Sequence, residues 1–159
     1  APFKNIKGVF LFLEKNKNAK LLIAGADDGE KEHLEQKISK LRISNSVFLI
    51  GEIGFADKKI LLNNCDYFVL ASEFESFGIV VAEALACGKP IVLSNKTPWK
   101  DLEINNCGIF ADNDKESFFN AFVKIVNEKY DSKNIKNYLK SNYDWEIIVA
   151  RFIKILKSR

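Results

Sequence analysis

Cysteine, histidine and long apolar runs are all scarce in this 159-residue chain. The three cysteines, Cys65, Cys87 and Cys107, are odd in number, widely spaced and without a C-x-x-C pair, so neither a disulfide framework nor a zinc site is expected. They suit a reducing cytoplasm. The one histidine, His33, falls in a polar stretch and reads as a surface residue with no catalytic part. No apolar run approaches the roughly 20 residues that a membrane helix needs, and the N-terminus shows no signal-peptide pattern. The chain is therefore expected neither to span a membrane nor to be exported. A strong charge of either sign is also lacking: 24 basic against 21 acidic residues leave +3, too little to argue for nucleic acid. No G-x-G-x-x-G follows any candidate strand, which argues against an ordinary dinucleotide-binding oxidoreductase. A phosphoacceptor domain, suggested by Asp27-Asp28 and Lys89-Pro90, fails because the middle strand ends on Gly51 and offers no aspartate.

What the chain does have is 47% apolar residues against 28% charged, enough for one packed domain or one lobe of a larger protein. Its charge is uneven. Residues 1 to 114 hold 14 basic and 16 acidic groups, whereas 115 to 159 hold 10 and 5, so the last third is basic. Solvated helix faces account for that most simply; an acidic lobe or an anionic membrane surface is the alternative.

Short runs rich in Val, Ile, Leu and Phe alternate with amphipathic stretches, as buried parallel strands and their crossover helices do. Strands are expected at Lys20 to Ala24, Val47 to Ile50, Tyr67 to Ala71, Ile91 to Leu93 and Gly108 to Ala111. Helices are expected at Ile6 to Lys15, Lys31 to Lys40, Lys58 to Asn63, Ile79 to Cys87 and Trp99 to Ile104. Three more should close the chain, near Lys115 to Glu128, Lys133 to Ser141 and Trp145 to Lys157. The pattern predicts an α/β, Rossmann-like, doubly wound parallel sheet with right-handed crossovers. The breakers Gly25, Gly29, Gly51, Gly54, Ser72 to Gly78 and Ser94 to Pro98 all follow strand ends, and that carboxyl edge is where open sheets bind ligands. The opening helix has no strand before it, as though a βα unit had lost its β.

The most unusual stretch is Ala71 to Val92, ASEFESFGIVVAEALACGKPIV. From Ile79 to Cys87 every residue is apolar except Glu83, and Gly88 with Pro90 stops the helix. A helix apolar on all sides is expected to be buried. A carboxylate on it needs a hydrogen-bond donor, because an isolated buried charge costs several kcal/mol (roughly, from desolvation). That donor is either a structural ion-pair partner such as a lysine or a ligand hydroxyl. At the helix start, Gly78 permits close approach, and the free N–H groups of Phe77, Gly78, Ile79 and Val80 form an anion site suited to a diphosphate. Glu83 lies roughly 7.5 Å further along the axis, a fitting distance from phosphate to ribose. Glu75 and Glu83 sit on the order of 10 Å or more apart, too far for the roughly 5 to 9.5 Å of a glycosidase pair. They are expected to grip different parts of one ligand.

Glu75-x7-Glu83, within S-E-F-E-S-F-G-I-V-V-A-E-A-L-A-C-G-K-P-I-V, resembles the E-x7-E signature of retaining glycosyltransferase family 4, in the C-terminal, donor-binding lobe of a GT-B enzyme. Lys4-Asn5-Ile6, K-L-L-I-A-G, V-F-L-I-G-E-I, Cys107-Gly108-Ile109-Phe110 and Tyr143-Asp144-Trp145 resemble other segments of that lobe, so the likeness covers nearly the whole of 1–159, closed by a terminal helix over 144–158.

The resemblance implies that Glu83 bonds the ribose hydroxyls and that Glu75 lies beside the transferred sugar. It implies that the backbone amides of Phe77, Gly78, Ile79 and Val80 hold the distal phosphate, with Ser76 also at the donor and with Lys4, or Lys7 if the register slips by three, adding a positive charge. Gly51, Glu52 and Ile53 would meet the base, and in the Ser94-to-Asp101 loop Thr97, Lys96 or Trp99 would serve the donor. That loop departs from the Gly-Gly-x-x-E segment of many members. An arginine usual five residues before the lysine would lie ahead of Ala1, along with the lobe's first strand. The implied partners are a nucleotide sugar and an N-terminal acceptor lobe of the same polypeptide, with no metal, no cofactor and no nucleic acid. The full-length enzyme would be cytoplasmic, with association at the inner face of the membrane allowed. It would transfer a sugar from a nucleoside-diphosphate sugar to a glycan, lipid or other acceptor with retention, whereas this lobe alone would transfer nothing. A non-catalytic or epimerase-like lobe binding a sugar nucleotide is the alternative. In the terminal helix, Trp145, Ile148, Val149, Phe152 and Ile155 share a face expected to cover the sheet or cross to the other lobe, with Asp144 as N-cap.

Overall fold

A computed structural model of the chain describes residues 6–72 and 75–157. The elements run α1 (Ile6–Lys15), β1 (Leu21–Ala24), α2 (Lys31–Lys40), β2 (Val47–Gly51), α3 (Phe55–Asn64), β3 (Phe68–Leu70), α4 (Ile79–Ala86), β4 (Ile91–Ser94), β5 (Gly108–Ala111), α5 (Lys115–Asn127), α6 (Ser132–Tyr143) and α7 (Trp145–Lys157). All described strand pairs are parallel, as the βα alternation requires, but they form two part-sheets: β1 pairs with β2, and β4 lies between β3 and β5.

Strand β4 shows why the pattern works. Ile91, Val92, Leu93 and Ser94 are all buried, because β4 has a strand on either side and helices on both faces. Ile91 and Leu93 point into one apolar cluster with Leu62, Val81, Ala84, Leu85, Ile135 and Tyr138. Val92 points the other way, into a second cluster with Val9, Phe10, Leu13, Leu34, Ile38, Phe118 and Ile125. Helices α1, α2 and α5 thus cover one face and α3, α4 and α6 the other. Full burial of such a side chain contributes about 1.5–3 kcal/mol. Helices α1 and α5 approach so closely at Gly8 that a Cβ there would stand 2.4 Å from the Lys115 carbonyl oxygen.

Two expectations fail locally, and a third keeps one of its two branches. Trp99 to Ile104 forms no helix, with 99–101 irregular and 102–106 in turns: the Asn105 amide bonds the Asp101 carbonyl, but Asn106, at φ 51°, turns left-handed and stops propagation. Helix α4 is not buried all round, because Val81, Ala84 and Leu85 face inward while Ile79 at its open end is 71% exposed. Asp144 does accept from the Glu146 amide as a cap should. Yet α7 packs on α6 rather than across the sheet, and Trp145 is 75% exposed with Ile148 at 40%; Phe152 and Ile155 lie outside the described side chains. His33 is exposed on α2, as expected.

Candidate functional site

Because the strands are parallel, Gly25, Gly51, Ser72 and Asn95 all emerge at one edge of the structure. The Gly25 amide donates to the Gly51 carbonyl at 2.9 Å, tying the ends of β1 and β2 together. Gly51, at φ +70°, turns the chain outward there, and Glu52 and Ile53 follow it into Gly54, the N-cap of α3. Glu52 is exposed and Ile53 half-buried.

At the same edge stands the start of α4. Gly78 caps it with φ 74° and ψ 68°, a left-handed conformation that an L side chain resists. Its carbonyl accepts from Val81 at 2.8 Å, tightening the first turn. Among the described residues, the N–H groups of Phe77, Gly78, Ile79 and Val80 find no acceptor. Such a row of free donors, with the positive end of the helix dipole behind it, favours an anion. Ser76 is exposed beside it. The Glu75 side chain folds back over this turn: a Cβ on Gly78 would lie 3.1 Å from Glu75 Cγ and 3.6 Å from its Cδ. A glycine is therefore needed here for space as well as for backbone shape.

Glu83 does have a protein donor. Lys58 Nζ, from α3, bonds its Oε1 at 2.7 Å, and the two side chains are 33% and 24% exposed. The lysine considered as a structural partner is thus real, and it uses one carboxylate oxygen. The other, Oε2, is buried and has no hydrogen-bond partner among the described residues. A buried carboxylate oxygen left unpaired costs about 1–3 kcal/mol, so the ion pair leaves the charge incompletely satisfied. The sequence reading did not single out Lys58. A signal existed: it shares the inward stripe of α3 with Leu61 and Leu62, where a lysine is out of place unless it has an acidic partner.

The loop after β4 is built for support. Thr97 is 2% exposed and its Oγ1 donates to the Ser94 carbonyl at 3.0 Å, so the hydroxyl expected at the donor is turned into its own loop. Trp99, 1% exposed, donates from Nε1 to the Phe77 carbonyl at 2.6 Å. Its ring lies 5.1 Å from that of Phe77 and 4.5 Å from that of Tyr143. Trp99 thereby fixes the peptide that leads into the amide row. Behind it the Tyr138 hydroxyl donates to Asp101 at 2.7 Å, and burial together with that bond raises its pKa far above the ordinary value. Lys4 lies outside the described residues.

The arrangement puts an open helix end and a half-satisfied carboxylate at the carboxyl edge of a parallel α/β structure, the edge at which open sheets bind ligands. Comparison with known proteins makes the class specific: the family Glycosyl transferases group 1 matches residues 2–158, and the chain belongs to it. An uncharacterized glycosyltransferase of Methanocaldococcus jannaschii is 28% identical over 159 residues, covering 96% of this chain and 40% of that protein. The alpha-1,3/1,6-mannosyltransferase ALG2 of Dictyostelium discoideum is 30% identical over 118 residues, covering 70% of this chain and 28% of its own. The solved structure of Anabaena HepE in complex with UDP-glucose superposes with a TM-score of 0.78 at 21% identity, over all of this chain and 46% of that one. The fold is thus that of GT-B glycosyltransferases, and the chain spans less than half the length of these relatives. No helix among the described residues is long and apolar enough to cross a membrane.

Proposed function

We propose that this chain is the donor-binding lobe of a retaining glycosyltransferase that uses a nucleoside-diphosphate sugar. The diphosphate rests on the amide row from Phe77 to Val80 beside Ser76, and Glu83 accepts hydrogen bonds from the ribose. Glu75 lies next to the transferred sugar, and the base meets Gly51, Glu52 and Ile53 through backbone groups. Lys4 adds positive charge at the phosphate. Thr97 shapes the loop behind the shelf from within. The observation that carries the reading is Glu83: one oxygen held by Lys58, the other unpartnered among the described residues, on the same helix whose leading amides find no acceptor among them.

The chemistry follows from those groups. As the bond between sugar and phosphate breaks, negative charge grows on the departing diphosphate and positive charge at the anomeric carbon. Fixed N–H dipoles stabilise the former without having to reorganise, and no metal is required of the described residues. Attack on the face of departure retains configuration. The acceptor and any base come from a second lobe of the same polypeptide, so this lobe alone binds donor weakly and transfers nothing.

The test is a heteronuclear NMR titration with UDP, GDP and ADP and their sugar conjugates, with Glu83→Ala as control. Shifts should concentrate at residues 75–83 and 51–53 for one base and weaken in the variant. A panel that leaves residues 75–83 unmoved overturns the assignment.

A further inference from the structure

Helices α3 and α4 are joined side by side by the Lys58–Glu83 pair, and both begin at the carboxyl edge. At helical spacing Phe55, Lys58 and Leu62 share one stripe of α3, and Ile79 and Glu83 share one of α4. Exposure rises along both stripes toward that edge. Leu62 is packed in the apolar cluster, Lys58 and Glu83 are part-buried, and Phe55 and Ile79, the first residues of their helices, are 74% and 71% exposed. The open end of α3 is also flanked by acid: Glu52 precedes it, and Asp57 lies in its first turn and already answers the helix dipole. Whatever meets Phe55 is therefore expected to be uncharged.

An exposed phenylalanine by itself is ordinary. Phe55 differs in what stands beside it. Lys58 Nζ lies 5.7 Å from the Phe55 ring centroid and 2.7 Å from Glu83 Oε1, the first distance being near the roughly 6 Å limit of a cation–π contact. One nitrogen thus links the ring to the carboxylate whose other oxygen has no partner among the described residues. A nucleoside spans the same two kinds of group, since a single glycosidic bond joins its ribose hydroxyls to a flat ring. Phe55 also follows directly on Gly51, Glu52, Ile53 and Gly54, the segment whose backbone faces the base in the reading above.

Resting on the assignment of Glu83 to the ribose, we infer that Phe55 is the platform on which the base of the donor nucleotide lies flat. Stacking is open to purines and pyrimidines alike, because every base has a π face. Phe55 therefore supplies affinity for a base as such, and the choice among bases falls to the edge contacts made by Gly51 to Ile53. The division of labour runs across two helix starts: α4 takes the diphosphate and the ribose, and α3 takes the neutral ring.

The test titrates this chain and its Phe55→Leu and Phe55→Trp variants by NMR with UDP, GDP, ADP and ribose 5-diphosphate, which keeps the sugar and phosphates but has no base. With the side chain 74% exposed, neither substitution should lower the thermal midpoint. In the native protein the base protons of the tightest-binding nucleotide should move upfield in the ring current of Phe55. Phe55→Leu should lose that shift and bind the nucleotide roughly fivefold or more weakly, while its affinity for ribose 5-diphosphate stays unchanged. Phe55→Trp should restore both the shift and the affinity. Equal nucleotide affinity in the native and Phe55→Leu proteins, or an equal loss for the ligand without a base, overturns the inference and leaves the ribose and phosphate assignments standing. A native protein in which none of the four ligands moves residues 75–83 overturns those assignments and the inference together.

Discussion

Removing Lys58 and Glu83, singly and together, separates a structural strut from a ligand contact. Two unit charges at 2.7 Å attract by about 6 kcal/mol at an effective dielectric near 20. With a quarter to a third of each side chain exposed, desolvation and side-chain ordering return most of that, leaving a net of about 1 kcal/mol. Lys58→Met and Glu83→Ala should each lower unfolding free energy by about 1 kcal/mol, with a coupling of about 0.5–1 kcal/mol in the double mutant. Binding behaves differently. A charged hydrogen bond from ribose to Glu83 is worth about 1.5–3 kcal/mol, or roughly a 10- to 100-fold change in affinity. Calorimetry with the preferred nucleoside diphosphate and its dideoxyribose analogue should show the native protein favouring the ribonucleotide by that factor and Glu83→Ala losing the preference. Lys58→Met should keep most of it. If Glu83→Ala melts earlier yet discriminates ribose from dideoxyribose as well as the native protein does, the carboxylate is a strut and the ribose assignment is wrong.

Two further outcomes follow from the structure. Gly78→Ala forces a left-handed φ on a residue with Cβ and sets that Cβ 3.1 Å from Glu75 Cγ and Val81 Cγ2; a loss of about 1–2 kcal/mol and weaker diphosphate binding are expected, and an unchanged thermal midpoint would contradict the geometry. Cys107 is fully buried, and burial, then the nearby Asp101, push its thiol from 9.0 up to about 11. The neutral thiol therefore contributes stability that is fully present below pH 9 and is lost as the pH rises through 11, on the order of 2–3 kcal/mol. Denaturant titrations between these values should show a shallower decline for Cys107→Ala than for the native protein.

The strands were legible because each is a short Val, Ile, Leu or Phe run bounded by Gly, Asn or Pro; Ile91 to Leu93 and Gly108 to Ala111 lie within a residue of β4 and β5. Helix α4, its glycine stop and its capping glycine were legible for the same reason: an apolar run between glycines leaves little choice. What escaped was set by partners distant in sequence. Lys58 meets Glu83 across 25 positions, and Thr97 turns inward because Ser94 offers it a carbonyl. The supposed helix after Pro98 had the right composition, but Asn106 took a left-handed turn that composition does not dictate. The exposed face of α7 reflects what lies next to it, which no periodicity records.

Trp99 gives the shelf an optical probe of its own. The chain has two tryptophans, one sealed at 1% exposure with its indole bonded to the Phe77 carbonyl, the other, Trp145, 75% exposed on the last helix. A soluble quencher therefore silences the second and spares the first, whose emission then reports on the peptide unit that shares Phe77 with the anion cradle. Occupancy of that cradle is observable in the native chain by fluorescence, without a label.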